Sequence, residues 1–196
     1  MKQQLKSTLA LSAGVLAVVG IVLAPTAGAA NTTAVTANVS KTAAISTTSG
    51  TVALNINPTS SGSFSSASDT VTAGTNSTAG YNLQVSAATT TLTKGADTIA
   101  ASAGTPASPV TLLKNTWGYR VDNGAGTFGA GPTSAQTDQA SLALTWAGVT
   151  STPTTIKSTA VANNADVTTV WYGAGVDFTK PNGAYTTTVT YTAVAL

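Results

Sequence analysis

The sequence predicts an all-β fold, an antiparallel two-sheet β-sandwich behind a cleavable helical signal peptide, on three observations. The last stretch, Val167 to Val194, alternates side-chain character with the period of a strand. Threonine makes up about a fifth of the chain and, with valine, supplies the branched Cβ that favours extended backbone. Short alternating runs recur between clusters of Gly, Pro, Asn and Ser, the punctuation of a sandwich or barrel of Ig-like or jelly-roll-like plan.

The closing stretch reads as two long strands joined by Thr179-Lys180-Pro181-Asn182-Gly183. In the first, Val170, Tyr172, Ala174, Val176 and Phe178 share a face. In the second, Tyr185, Val189, Tyr191 and Ala193 share one face, and Thr186, Thr188, Thr190 and Thr192 the other. Proline presets φ and Asn-Gly supplies positive φ, so the joining segment is expected to be a tight reversal. A threonine stripe facing water requires something dry behind the opposite face, which implies a second sheet or a closed barrel.

From the N-terminus, Met1 to Ala29 has the parts of a secretory signal. Lys2 and Lys6 form the charged start, Leu9 to Leu23 the apolar run, and Pro25 precedes the Ala27-Gly28-Ala29 cleavage triplet. The mature chain is expected to begin at Ala30 or Asn31. The alternative, an uncleaved anchor, is disfavoured because the apolar run is short for a span of about 20 residues. Residues 30–50 read as a flexible lead-in or a first edge strand, with weak alternation at Val35, Val39 and Ile45. The sandwich domain is placed at 51–196.

Within that domain Val52, Leu54 and Ile56 alternate cleanly before Asn57-Pro58 stops the run. A serine-glycine loop carrying Phe64 follows, then a short strand around Val71. Tyr81, Leu83 and Val85 form another alternating run. Thr89 to Thr93 and Thr98 to Ala101 flank a hairpin turn at Lys94-Gly95-Ala96-Asp97. Val110 to Val121 is read as one strand entering a bend at Asn115 and another leaving through Trp117 and Tyr119. After the glycine-dense 122–132, strands are expected around Leu142 to Trp146 and Ile156.

Charge and composition exclude several function classes. Charged residues are only 7% of the chain, against roughly a quarter in ordinary domains. Once Lys2 and Lys6 leave with the signal, six Lys and Arg face six Asp, so no basic surface remains for phosphate backbones or anionic lipid. Nucleic-acid binding and stable membrane insertion after cleavage are therefore not expected. The chain has no cysteine, histidine or glutamate, which removes thiol chemistry, His-based catalysis, the usual zinc sites and lipoprotein anchoring. Four of the six aspartates lie within two residues of Gly or Asn, where Asx turns are their common role. Asp122-Asn123-Gly124-Ala125-Gly126 supplies too few side-chain oxygens for calcium. No G-x-S-x-G elbow activates a serine. The chain is expected to be no enzyme and to need no cofactor.

Aromatic residues are the remaining candidates. Trp117, Tyr119 and Trp171, with Trp146 and Tyr172 nearby in sequence, are candidate ligand-binding residues for a sugar ring, against the commoner fate of packing a core. Trp171 falls opposite Tyr172 on its strand, so it is expected to point away from the core.

The ending GAYTTTVTYTAVAL after a Pro-Asn-Gly turn resembles the terminal strand of WxL-type cell-surface proteins of Gram-positive bacteria; YNLQVSA at 81–87 and NTWGYRV at 115–121 add to the likeness. Tyr191-Thr192-Ala193 stands where that family has its terminal Trp-x-Leu. The resemblance implies an exported β-sandwich held noncovalently at the cell wall. The resulting expectation is a secreted, extracellular cell-surface protein, structural or adhesive, whose partners are wall glycan or a host or matrix surface. The alternatives are a carbohydrate-binding module and a fibre or surface-layer subunit that self-associates by strand addition at an exposed edge.

Overall fold

The computed structural model describes residues 34–122 and 128–196, and no described residue is helical. The expected signal segment and residues 123–127 of the glycine-dense loop lie outside the described residues. Ser40–Leu196 forms one compact unit. Its strands are β1 (Ala43–Thr47), β2 (Ser63–Thr75), β3 (Tyr81–Ala87), β4 (Leu92–Lys94), β5 (Asp97–Ala101), β6 (Val110–Thr111), β7 (Thr116–Val121), β8 (Gln136–Gln139), β9 (Thr145–Trp146), β10 (Thr154–Ser158), β11 (Asn163–Val176) and β12 (Val189–Ala195).

A seven-stranded sheet runs β1-β2-β11-β7-β5-β4, with β8 joining β2, and a three-stranded sheet runs β10-β3-β12. β6 and β9 form a separate pair. Both larger sheets feed one hydrophobic cluster: Val71, Trp117, Tyr119, Val170, Tyr172, Ala174 and Val176 from the first, Tyr81, Leu83, Val85, Ala87 and Ile156 from the second. The sheets are not wholly antiparallel as expected, because β5 pairs parallel with β7 through Ala100↔Thr116 and Ala101↔Trp117. A tight turn after Lys94 commits β4 and β5 to a hairpin, and Asn115, at φ 57°, then returns the chain alongside β5. The Asn115 amide group fixes that bend by donating to Asp177 Oδ1 (3.0 Å) while its own oxygen accepts from Asp177 N (3.2 Å).

The closing stretch is not a hairpin. β11 is hydrogen-bonded to β2 on one edge and β7 on the other, so both edges are occupied and the next strand has nowhere to pair. The chain instead crosses to the three-stranded sheet, where β12 pairs with β3 from Val189↔Ala87 to Ala195↔Tyr81. Phe178, expected in the core, lies in this crossing and is 69% exposed. The two faces of β12 follow the alternation: Val189, Tyr191 and Ala193 pack on the core and Thr190 and Thr192 face solvent.

β11 is buried on both faces from Val170 to Val176. Val170, Tyr172, Ala174 and Val176 enter the main core, whereas Trp171 enters a second cluster with Phe64, Leu112, Leu142 and Trp146. Gly173 and Gly175 share the Trp171 face and make room there. A Cβ at Gly173 would lie 2.8–3.0 Å from ring atoms of Trp146, and one at Gly175 would overlap the ring of Phe64. The run VWYGAGV thus seats two rings between its own small residues.

Residues 51–56 correct a further expectation. Val52, Leu54 and Ile56 do pack on the main core, but no strand forms there, and among the described residues no backbone-to-backbone hydrogen bond involves 51–56. Alternation reports where side chains go; it does not require a paired backbone. The first edge strand comes earlier, with β1 pairing Ala43↔Thr75 through Thr47↔Val71.

Candidate functional site

All three aromatic candidates are buried, and Trp117 lies at the floor of the groove described below. Trp117 is 2% exposed, Tyr119 1% and Trp171 6%. They do not share a face either: Trp117 and Tyr119 point into the main core and Trp171 into the second cluster. Trp117 stacks on Tyr172 with ring centroids 6.5 Å apart and donates its indole N–H to Thr90 O (2.9 Å). Trp171 donates to Asp122 Oδ2 (2.8 Å), which gives that aspartate a structural partner. Trp171 does leave the main core, as its place opposite Tyr172 predicts, but β6, β9 and the 140–146 segment cover that side of the sheet. The local signal for this cover is Gly173 and Gly175, which share the Trp171 face and leave room for rings.

Two polar clusters hold the layers together. Asp166 on β11 accepts from Lys157 Nζ on β10 (2.7 Å) and from Tyr81 OH on β3 (2.8 Å), joining the two larger sheets. Burial alone would raise the Asp166 carboxyl, but the hydrogen bonds from Lys157 and Tyr81 outweigh it and hold the group below the usual carboxylate range. Arg120 on β7 is fully buried and donates to the carbonyls of Phe128 (2.8 Å), Gly129 (3.0 Å) and Ala130 (2.8 Å), with its guanidinium beside the Phe128 ring. Burial pulls its pKa down and Asp122 opposes that. Protein groups partner most of these atoms, Arg120 Nε and Asp122 Oδ1 being buried without a hydrogen-bond partner, and both clusters tie separate elements together as struts do. Among the described residues no group of three or more acidic, His or Cys side chains could hold a metal ion.

Among the described residues a groove of about 950 Å³ stands out. Residues 51–56 form one wall and residues 184–191 the other. Its floor is the main-core face of β11, Tyr172, Ala174 and Val176, with Trp117, Ile99 and Leu92. Of the eight half-buried hydrophobic residues around the main core, seven line this groove: Val52, Leu54, Ile56, Leu92, Tyr185, Val189 and Tyr191. The core is left incompletely sealed here. At the floor Tyr172 and Tyr191 share a hydroxyl–hydroxyl bond of 2.6 Å, and burial pushes both phenols well above their ordinary pKa. Asp69 and Lys180 are the charged residues on its lining. An apolar floor with paired hydroxyls suits packing against another apolar segment.

No protein-family model, curated protein or solved structure matches the chain.

Proposed function

We propose that this chain is a secreted cell-surface protein of structural or adhesive type, a two-sheet β-sandwich that acts by display and contact and not by catalysis. The observation that carries the reading is the outer face of the three-stranded sheet. There Thr192, Gln84 and Thr155 stand in one cross-strand row, Thr190 and Ser86 in the next, and Asn82 beside Ser158, whose hydroxyl it accepts at 2.6 Å. Apart from Val194, which stands opposite Asn82 and is 42% exposed, this surface carries hydroxyls and amides and no charge, and it offers many weak hydrogen bonds to glycan or matrix at any ionic strength. The polar clusters inside act as struts between layers, and the large aromatics fill the cores, which removes the support for a sugar module built on Trp117, Tyr119 and Trp171.

The resemblance to WxL-type proteins extends the reading to noncovalent retention at the cell wall. The test is fractionation of the producing cells into medium, wall and membrane, with a high-salt and a denaturant wash of the wall fraction. Release from the wall by denaturant supports the reading. Recovery only in the medium refutes wall association, and retention inside the cell refutes export.

A further inference from the structure

We infer that the groove between residues 51–56 and 184–191 is an acceptor site for one extended segment, residues 34–40 of a second copy of this chain, so that copies join by strand insertion. The inference rests on the surface-protein reading, because signal removal at Ala29 or Ala30 leaves this segment at a free end.

The groove has the form of a missing strand. Its floor is the apolar face of one sheet, and its walls are two extended backbones in the opposite layer. One wall, 51–56, makes no backbone-to-backbone hydrogen bond among the described residues. The other is the free edge of β12, which pairs only with β3, continued through Thr186 and Thr188, which bond to Thr93 and Ala88 on the side of β3 and β4. Thr51 N–H and C=O bond the Ser49 hydroxyl and Asn55 C=O accepts from Ser65 Oγ (2.7 Å), and the remaining N–H and C=O groups of the two walls are a template for another strand. From the rise, strand spacing and sheet spacing of packed β-structure, one strand residue occupies roughly 160 Å³. The groove, at about 950 Å³, therefore has room for about six residues.

Ala34-Val35-Thr36-Ala37-Asn38-Val39-Ser40 has the matching chemistry. It is uncharged, rich in β-formers, and free of Pro and Gly. Val35, Ala37 and Val39 fall on one face, the same spacing as Val52, Leu54 and Ile56 on the wall. Val35 is 90% exposed and Val39 83%. Beyond it the chain is pinned: Thr42 N donates to Asn76 Oδ1 (2.7 Å) and Asn76 Nδ2 to Ser40 O (2.9 Å). From that pin β1 runs five residues toward the groove, about 17 Å at ~3.3 Å each. A segment doubling back on its own molecule would use up most of its length before reaching the groove. Insertion into a second copy has no such constraint, and it would seal the half-buried residues and pair both walls at once.

The test uses the mature chain, whose lack of cysteine makes engineered thiols unambiguous. Chains carrying Asn38→Cys, on the solvent side of the inserted strand, are mixed with chains carrying Thr188→Cys, on the solvent side of the wall. Oxidation is expected to give a disulfide dimer, whereas Asn38→Cys mixed with Thr152→Cys, exposed elsewhere, gives none. Light scattering is expected to show concentration-dependent association that Val35→Asp/Val39→Asp weakens on the order of a hundredfold, with an unchanged melting temperature because both side chains are exposed in the free subunit. A monomer at millimolar concentration, or equal cross-linking to Thr188→Cys and Thr152→Cys, overturns the inference. So does native mass spectrometry showing an apolar small molecule in the groove of Val35→Asp/Val39→Asp and native chains alike. Wall-bound protein that neither associates nor cross-links sinks strand insertion alone; cytoplasmic protein that does cross-link sinks the surface reading alone.

Discussion

Gly173→Ala isolates the packing claim on which the two-sided burial of β11 depends. The added methyl would meet Trp146 Cη2 at 2.8 Å and Cζ2 and Cζ3 at 3.0 Å. The Trp146 ring has no room to move, since the residue is fully buried in the second cluster. Overpacking of this kind costs about 1–3 kcal/mol. Against it stands the entropic gain of replacing glycine by alanine in a strand, about 0.5–1 kcal/mol. The net expectation is a loss of about 1–2 kcal/mol, a fall in Tm of about 3–8 °C for a domain of this size. Gly50→Ala is the matched control: nothing lies within 4 Å of its Cβ position, so only the entropic gain should appear. Thermal unfolding by far-ultraviolet circular dichroism and tryptophan fluorescence reads both. Trp146→Phe removes the three clashing atoms, so Gly173→Ala should cost little in that background, and the double-mutant cycle should give a coupling of at least about 1 kcal/mol. Gly173→Ala as stable as the native chain, or an unchanged cost in the Trp146→Phe background, would refute the reasoning.

Three further outcomes follow from the polar clusters. Asp166→Asn leaves Lys157 without its carboxylate between the sheets and should cost about 2–3 kcal/mol near pH 7, read by urea unfolding. Because the folded carboxyl titrates below its ordinary value, its contribution is complete above the unfolded pKa of about 3.9 and disappears as pH falls through the folded value. The gap between native and Asp166→Asn should therefore close in acid, and a gap that persists at pH 2 would contradict the assignment. Tyr172→Phe and Tyr191→Phe should each cost about 1–2 kcal/mol by orphaning the other hydroxyl, while the double variant costs less than their sum. All five tyrosines are raised, Tyr119 to about 12, so the native protein should show little tyrosinate absorbance at pH 10.5. The stability that they contribute is complete below the unfolded pKa of about 10 and is lost as pH rises above it, so alkaline unfolding and tyrosine ionisation should coincide. Asn115→Ala should be worse than Asn115→Gly, since both lose the Asp177 bonds but only alanine also strains a backbone at φ 57°. Chemical denaturation of the pair decides this.

What the sequence made legible was burial, residue by residue, and what it hid was partnership. The alternations at 52–56, 81–85 and 185–193 each report one dry face, and each of those faces does pack on the main core. Yet the same signal led to a strand at 51–56, where the backbone makes no backbone-to-backbone bond, because side-chain period and strand pairing are separate requirements. The closing hairpin failed for a related reason. The neighbours of β11 come from 63–75 and 116–121, far away in sequence, and a turn-like Pro-Asn-Gly carries no information about whether an edge is already taken. Asn115 was legible because its bend is local. The candidate aromatics were misread because a sheet's second face is declared wet or dry by elements elsewhere in the chain, here β6, β9 and Leu142. One local signal did exist: Trp171, Gly173 and Gly175 share a face, and two glycines beside a tryptophan on a sheet leave a trough that water fills poorly and rings fill well. The groove follows the same logic at larger scale. A wall of alternating apolar residues with no paired strand beside it is a strand lacking its partner, and the chain carries, at residues 34–40, one more segment of that pattern, tied down among the described residues only at its Ser40 end.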